Sequence, residues 1–307
     1  MAASAPGKLI LYGEHAVVFG EPALSTAINL RAEVYARPHS EWLADGASID
    51  EPRYRYVKAA VQRAKPRGPM WIEIRSMIPS GAGLGSSAAV TVATLGALCP
   101  ADRPLETSSI AREAFEVEHE VQGRASPIDT STSAAGGGVL VLRDPKDDLL
   151  WSMERDTRRW SLHRVHLPAV EFVVGHTGIS AATGPLVSRV RDLVEHDERA
   201  AEAIREIGRI TLDGLEALRR RDLLEAGRLM DRNHALLNEL GVGHVALDRL
   251  VQAARPHSFG AKLTGAGGGG SMIALSEDPE KAAAAIRGAG GKAFIVRSEP
   301  TGVVRLP

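Results

Sequence analysis

The sequence predicts an α+β protein of two domains, and three observations lead there. A chain of 307 residues is long enough for a substantial core divided into two lobes. Its first half carries short apolar and alternating strand patterns beside two helical ones. Around residues 160–170 the character changes, and a long helical stretch then precedes a strand, a glycine-rich loop and a strand. The boundary falls at 165, giving domains 1–165 and 166–307.

The elements follow in order. Residues 8–12 and 23–37 contain apolar, β-branched runs around GEHAVVFGEP, the pattern of strands flanking a functional loop. MWIEIRSMI (70–78) alternates apolar and polar residues, Trp71 excepted, as a half-buried strand does, and Pro79 and Gly81 end it. From Ser86 to Leu98 the chain is small and apolar almost all round, which suits a helix buried at a domain centre with serines at its N-terminal end. Over 107–122, Ile110, Ala114, Val117 and Val121 keep helical spacing, with Thr107 or Ser108 as cap. VLVL (139–142) reads as a strand and DPKDDL (144–149) as a turn. In the second half EFVVGHT (171–177) is a strand entering a loop, and 186–239 is mostly helical. The segment from 256 to 275 gives strand, glycine loop and strand; a helix near 278–288 and the strand KAFIVRS follow.

Composition excludes several classes. Hydrophobic residues at 44% and charged residues at 24% are the balance of an ordinary globular protein. A formal charge of −1 leaves no electrostatic footprint for nucleic acid or an anionic membrane, and 4% aromatics weaken any base-stacking role. The single cysteine, Cys99, rules out an internal disulfide or a cysteine-clustered metal site, and its place before Pro100 suits a small buried hydrophobe. There is no signal-peptide pattern at the start and no run of roughly 18 apolar residues, so the expected location is the cytoplasm.

Four constellations carry chemistry. APGKLILYGEH (5–15) sets Lys8 just before a strand, with Glu14 and His15 after a glycine; these are surface charges or a site at a strand end. IPSGAGLGSSAAV (78–90) places Gly81, Gly83 and Gly85 ahead of Ser86 and Ser87 at a helix start. Such glycines permit close backbone approach to phosphate, yet the stretch lacks the lysine of a P-loop and does not match GxGxxG. In EVEHEVQGRASPIDTSTSAAGGG (116–138), Glu118 sits on a helix and Asp129 in a Ser/Thr-rich loop. One of these carboxylates could hold Mg²⁺ while the other orients or accepts the proton of a substrate hydroxyl. His119 diverges from Glu118 on the helix and is taken as solvated, and HEVQG fails HExxH. Finally KLTGAGGGGSMIAL (262–275) puts five glycines among residues 264–270 between apolar strands, so backbone packs closely on a ligand or on the first glycine loop.

Together these stretches resemble the GHMP kinase superfamily, which includes galactokinase, homoserine kinase, mevalonate kinase and phosphomevalonate kinase. APGKLILYGEHAVVFGEPAL and ASPIDTSTSAAGGG are most similar to the mevalonate kinases, particularly the archaeal form. The resemblance implies a two-domain fold, with an N-terminal domain like ribosomal protein S5 domain 2 and a ferredoxin-like C-terminal domain. It implies ATP-dependent phosphorylation of the 5-hydroxyl of (R)-mevalonate, with Mg²⁺ as cofactor and a homodimer as a frequent assembly. Carried over by position, Gly81, Ala82, Gly83, Leu84, Gly85, Ser86 and Ser87 would wrap the ATP phosphates. Ser87 and Glu118 would hold Mg²⁺, and Asp129 would act on the substrate hydroxyl with Lys8 beside it. Glu14, His15, Thr177, Gly265 and Ala266 would line the substrate side.

Two departures stand out. Mevalonate kinases commonly carry a lysine where AATGPLV has Gly184, and Arg124 and Ser126 replace the more frequent residues of GxPSGxD. A kinase for phosphomevalonate or another small alcohol would need more basic residues than the motif loops offer beyond Lys8 and Arg124. A catalytically silent ligand sensor would not need Lys8, Ser87, Glu118 and Asp129 together.

Overall fold

The computed structural model describes residues 1–123, 125–179 and 183–307. Arg124, Ser180, Ala181 and Ala182 therefore lie outside the described residues.

The first half is built on two long strands. The apolar run of β1 (Ala2–Tyr12) is almost wholly buried and pairs antiparallel with β2 (Ala23–Pro38). Pro6 cannot donate to the ladder, and the pairing shifts register there, between Pro6 and Gly7. The short β3 (Leu43–Ala44) and β4 (Ala47–Ser48) precede α1 (Arg55–Ala64) and β5 (Met70–Ser76). Next come α2 (Ser86–Leu98), α3 (Thr107–Gln122), α4 (Ile128–Ala135) and β6 (Gly138–Leu142). The hairpin β7 (Leu149–Arg155) and β8 (Arg158–Val165) completes the sequence. The far edge of β2 pairs with β6 along its first residues and with β5 along its last. Helix α2 has no polar face because it is enclosed by β1, β2, α1, α3 and α4.

The second half is a four-stranded antiparallel sheet covered by helices. After β9 (Glu171–His176), the helical stretch divides into α5 (Thr183–His196), α6 (Glu198–Arg219) and α7 (Leu223–Glu239). Asp197 and Asp222 mark the breaks as N-caps, accepting hydrogen bonds from Arg199 N and Glu225 N. The remaining elements are α8 (Val245–Ala254), β10 (Gly260–Thr264), β11 (Ser271–Leu275), α9 (Pro279–Gly288) and β12 (Lys292–Arg297). The chain then returns to the first sheet as β13 (Val304–Arg305), paired with β1. One apolar core runs from Leu9, Leu11 and Tyr12 of β1 through to α6, α7 and the second sheet. No helix among the described residues is long and apolar enough to cross a membrane.

Three sequence expectations are corrected. Asp129 is not in a loop: it occupies the first turn of α4. Ser and Thr disfavour helix interiors when their hydroxyls compete for backbone, but here tertiary partners absorb them. Ser133 donates to Pro6 O at 2.7 Å, the Thr132 hydroxyl lies 2.6 Å from that of Ser25, and Trp151 Nε1 donates to Ser131 at 3.2 Å. His119 is half-buried beside the Phe115 ring rather than solvated, since both face the same side of α3. Cys99 is half-buried at the end of α2, not enclosed.

Packing between α7 and β10 leaves no room for a side chain at Gly227, where an added Cβ would sit 2.2 Å from the Phe259 carbonyl group. Gly227→Ala improves helix propensity, yet the backbone clash dominates. The substitution should lower unfolding stability by about 1–3 kcal/mol in urea titration.

Candidate active site

Both halves of the molecule wall one cleft of about 1260 Å³. At its floor is Lys8, on β1 rather than before it, with only 2% of its side chain exposed. Burying an ammonium is tolerated only with partners. Lys8 Nζ lies 3.0 Å from Asp129 Oδ1 and donates to Gly83 O at 3.2 Å. Asp129 is 30% exposed, so the pair presents its carboxylate to the cleft.

The first glycine loop is held against this lysine. Lys8 N donates to Leu84 O at 2.9 Å, and a Cβ on Gly85 would meet Lys8 Cγ at 2.8 Å. Gly81, Gly83 and Gly85 all have left-handed φ, while Ala82 and Leu84 between them are fully buried. The loop is thus an alternation of anchors and open glycines that ends at the N-terminus of α2, where backbone N–H groups lack intrahelical partners. Ser86 and Ser87 begin that helix and line the cleft.

Ser87 Oγ donates to Glu118 Oε1 at 3.2 Å. Glu118 is buried, and its carboxyl is pushed up to about 8, first by burial and then by the negative charge of Asp129; Lys8 and Ser87 oppose the shift. A buried carboxylate and a hydroxyl side by side are hard oxygen donors short of positive charge, which fits Mg²⁺. Among the described residues no group of three or more His, Cys, Asp or Glu could hold a metal unaided.

On the other wall Glu14 is buried in an ion pair with Lys262, which also donates to Leu263 O at 2.7 Å. Burial raises Glu14 and lowers Lys262, while their mutual attraction opposes both shifts. His15 adopts φ 61°, a sparsely populated conformation for a non-glycine residue, and its Nε2 lies 2.9 Å from Ala266 O. The ring is therefore the tautomer with hydrogen on Nε2, and burial depresses its basicity. Thr264 donates to Ile10 O at 3.0 Å, and the space above Gly265 opens onto Gly83 at 3.9 Å, so the two glycine loops face each other.

The cleft gathers Lys8, Glu14, His15, Gly81, Gly83, Gly85, Ser86, Ser87, Glu118, Asp129, Gly265 and Ala266. It does not include the side chains of Ala82 and Leu84, which belong to the core. Thr177 is not among the described residues that line the cleft; its hydroxyl donates to Gly270 O at 2.9 Å, bracing the late glycine loop. Sequence reasoning missed Lys262, whose signal was a lysine inside the fully buried strand GAKLT. It also missed Arg158 and Arg191 on the cleft wall.

Comparison with known proteins follows the same outline. The pattern of the GHMP kinases N terminal domain matches residues 54–137, and that of the GHMP kinases C terminal region matches 215–295. A mevalonate kinase of Pyrococcus abyssi is 37% identical, over 98% of this chain and 96% of the relative. The chain belongs to the mevalonate kinase family of GHMP kinases. Among solved structures, the Methanococcus jannaschii mevalonate kinase has a TM-score of 0.80 at 29% identity, covering 97% of this chain and 98% of that one. The L. major mevalonate kinase in complex with R-mevalonate has a TM-score of 0.82 at 25% identity, covering 97% and 96%. Family membership makes this chain a kinase, with the α+β fold that its sequence predicts.

The buried pair yields a prediction. Lys262→Met strands the Glu14 carboxylate, so unfolding stability should fall by about 3–5 kcal/mol, whereas Glu14→Gln combined with Lys262→Met should cost clearly less than Lys262→Met alone. Denaturant titration of both variants reads the difference.

Proposed function

We propose that this chain transfers the γ-phosphoryl group of ATP to the 5-hydroxyl of (R)-mevalonate, giving 5-phosphomevalonate and ADP. The observation that carries this reading is the Lys8–Asp129 pair at the cleft floor, 3.0 Å apart and beside the first glycine loop. Family membership among mevalonate kinases supports the substrate.

Phosphoryl transfer asks a protein chiefly for positioning and for neutralisation of charge. The loop from Gly81 to Ser87 and the start of α2 offer backbone N–H groups to the nucleotide phosphates. Ser87 and Glu118 would hold Mg²⁺, which when bound supplies charge neutralisation on the phosphates. Asp129 takes the proton of the 5-hydroxyl as that oxygen forms its bond to the γ-phosphorus and the bond from phosphorus to the ADP oxygen breaks. Lys8, 3.0 Å from Asp129, holds that carboxylate in place and offsets charge on the group in transit. His15 and Glu14, with the backbone at Gly265 and Ala266, shape the acceptor side.

We assign the phosphate loop and the catalytic aspartate to a domain of residues 1–165 and the late glycine-rich loop, on the substrate side, to a domain of residues 166–307, and place the enzyme with its soluble substrates in the cytoplasm, with a homodimer as its assembly.

An ADP-release assay on mevalonate, phosphomevalonate, galactose and homoserine tests the reading. Turnover should be confined to mevalonate and vanish on chelation of Mg²⁺. Asp129→Asn should lower kcat by roughly 10³-fold or more while ATP affinity stays within about threefold. Preference for another alcohol, or no release with any, contradicts the assignment.

A further inference from the structure

Five cationic side chains among the described residues line the cleft: Lys8, Arg53, Arg55, Arg158 and Arg191. Four are engaged. Lys8 pairs with Asp129, Arg53 with Glu51 and the Tyr54 ring, Arg55 stacks on Tyr56, and Arg158 also has a partner. Arg191 differs: its Nη2 is buried with no hydrogen-bond partner among the described residues. A buried guanidinium N–H without an acceptor is costly, and a carboxylate, taken in the two-pronged manner, is its best-matched partner.

Its place on the helix is informative. Gly184, Val187 and Arg191 all line the cleft, at spacings of three and four residues, so one face of α5 forms this wall. Gly184 is where mevalonate kinases commonly carry a lysine, and no atom of the described residues lies within 4 Å of where its Cβ would be. Helical Cα–Cβ bonds tilt toward the N-terminus, so the stem of Arg191 leans back along this face toward that open space.

We propose that Arg191 receives the carboxylate of the substrate acid and thereby sets specificity for it, doing from two turns along α5 what a cation at position 184 would do. The inference rests on mevalonate as substrate, an acid whose carboxylate lies at the opposite end from the reacting hydroxyl. Lys8 is committed to Asp129 at the reacting end. The nucleotide phosphates belong to the loop and helix N-terminus of the first half, so an ATP contact for Arg191 is the rival outcome.

Steady-state kinetics on wild type and Arg191→Gln decide it, using (R)-mevalonate and 3-methylpentane-1,3,5-triol, in which the carboxyl is replaced by an alcohol. Wild type should strongly prefer mevalonate. Arg191→Gln should raise KM for mevalonate by about 30-fold or more, with kcat and KM for ATP within about threefold, and should collapse the preference over the triol. Arg191→Lys should keep much of that preference, and adding Gly184→Lys to Arg191→Gln should restore part of it. Unchanged KM for mevalonate, a raised KM for ATP instead, or wild-type indifference between acid and triol overturns the proposal. If Arg191→Gln does not fold, the wild-type comparison and Arg191→Lys still decide. A wild type inactive on mevalonate defeats the substrate assignment itself, which distinguishes the two failures.

Discussion

The architecture of the site depends on one buried charge. Lys8 has its ammonium inside the protein, and an unpaired charge there would cost several kcal/mol. Meeting that demand fixes three residues on two separate pieces of chain. Asp129 must stand at the first turn of α4, Gly83 must turn its carbonyl inward, and Gly85 must lack a side chain so that the lysine stem can pass. The same residue's backbone N–H holds Leu84 O, so the strand sets the height of the glycine loop above it. Asp129 is the more exposed partner, at 30% against 2% for Lys8, so its carboxylate is the one a hydroxyl can approach.

A second layer joins the late glycine loop to that floor. Glu14, just past the end of β1, and Lys262, in the middle of β10, lie 248 positions apart in the chain, and His15 to Ala266 and Thr264 to Ile10 run alongside. All three contacts link the β1 region to β10 and the loop after it. They explain why so polar a cleft stays shaped: its walls are strands and helices sharing one apolar core, and its openings are glycines that only backbone fills. The first glycine loop needs no lysine of its own. On the proposed function, positive charge for the phosphates would come instead from an ion held by Ser87 and Glu118.

Much of this was legible in the sequence, for identifiable reasons. The uniformly apolar α2 and the left-handed glycines of both loops leave local signatures that tertiary structure does not override, and the Lys8, Glu118 and Asp129 motifs travel with them. What stayed hidden depends on distant partners. The hydroxyls of α4 look like loop chemistry until Pro6 and Trp151 are seen to satisfy them. Lys262 reads as an ordinary strand residue until Glu14 is placed against it, and Thr177 as a site hydroxyl until Gly270 accepts from it. Arg191 has no motif at all; only the folded cleft separates it from the many arginines on solvated helix faces.

The central claim is that Lys8 and Asp129 act as one unit. A double-mutant cycle on kcat/KM for mevalonate, using Lys8→Met, Asp129→Asn and the pair, tests it most directly. Each single change should cost roughly 10³-fold or more, and the double variant should be little worse than the weaker single one. Losses that multiply in the double variant would mean that the two residues act independently, and would contradict the account.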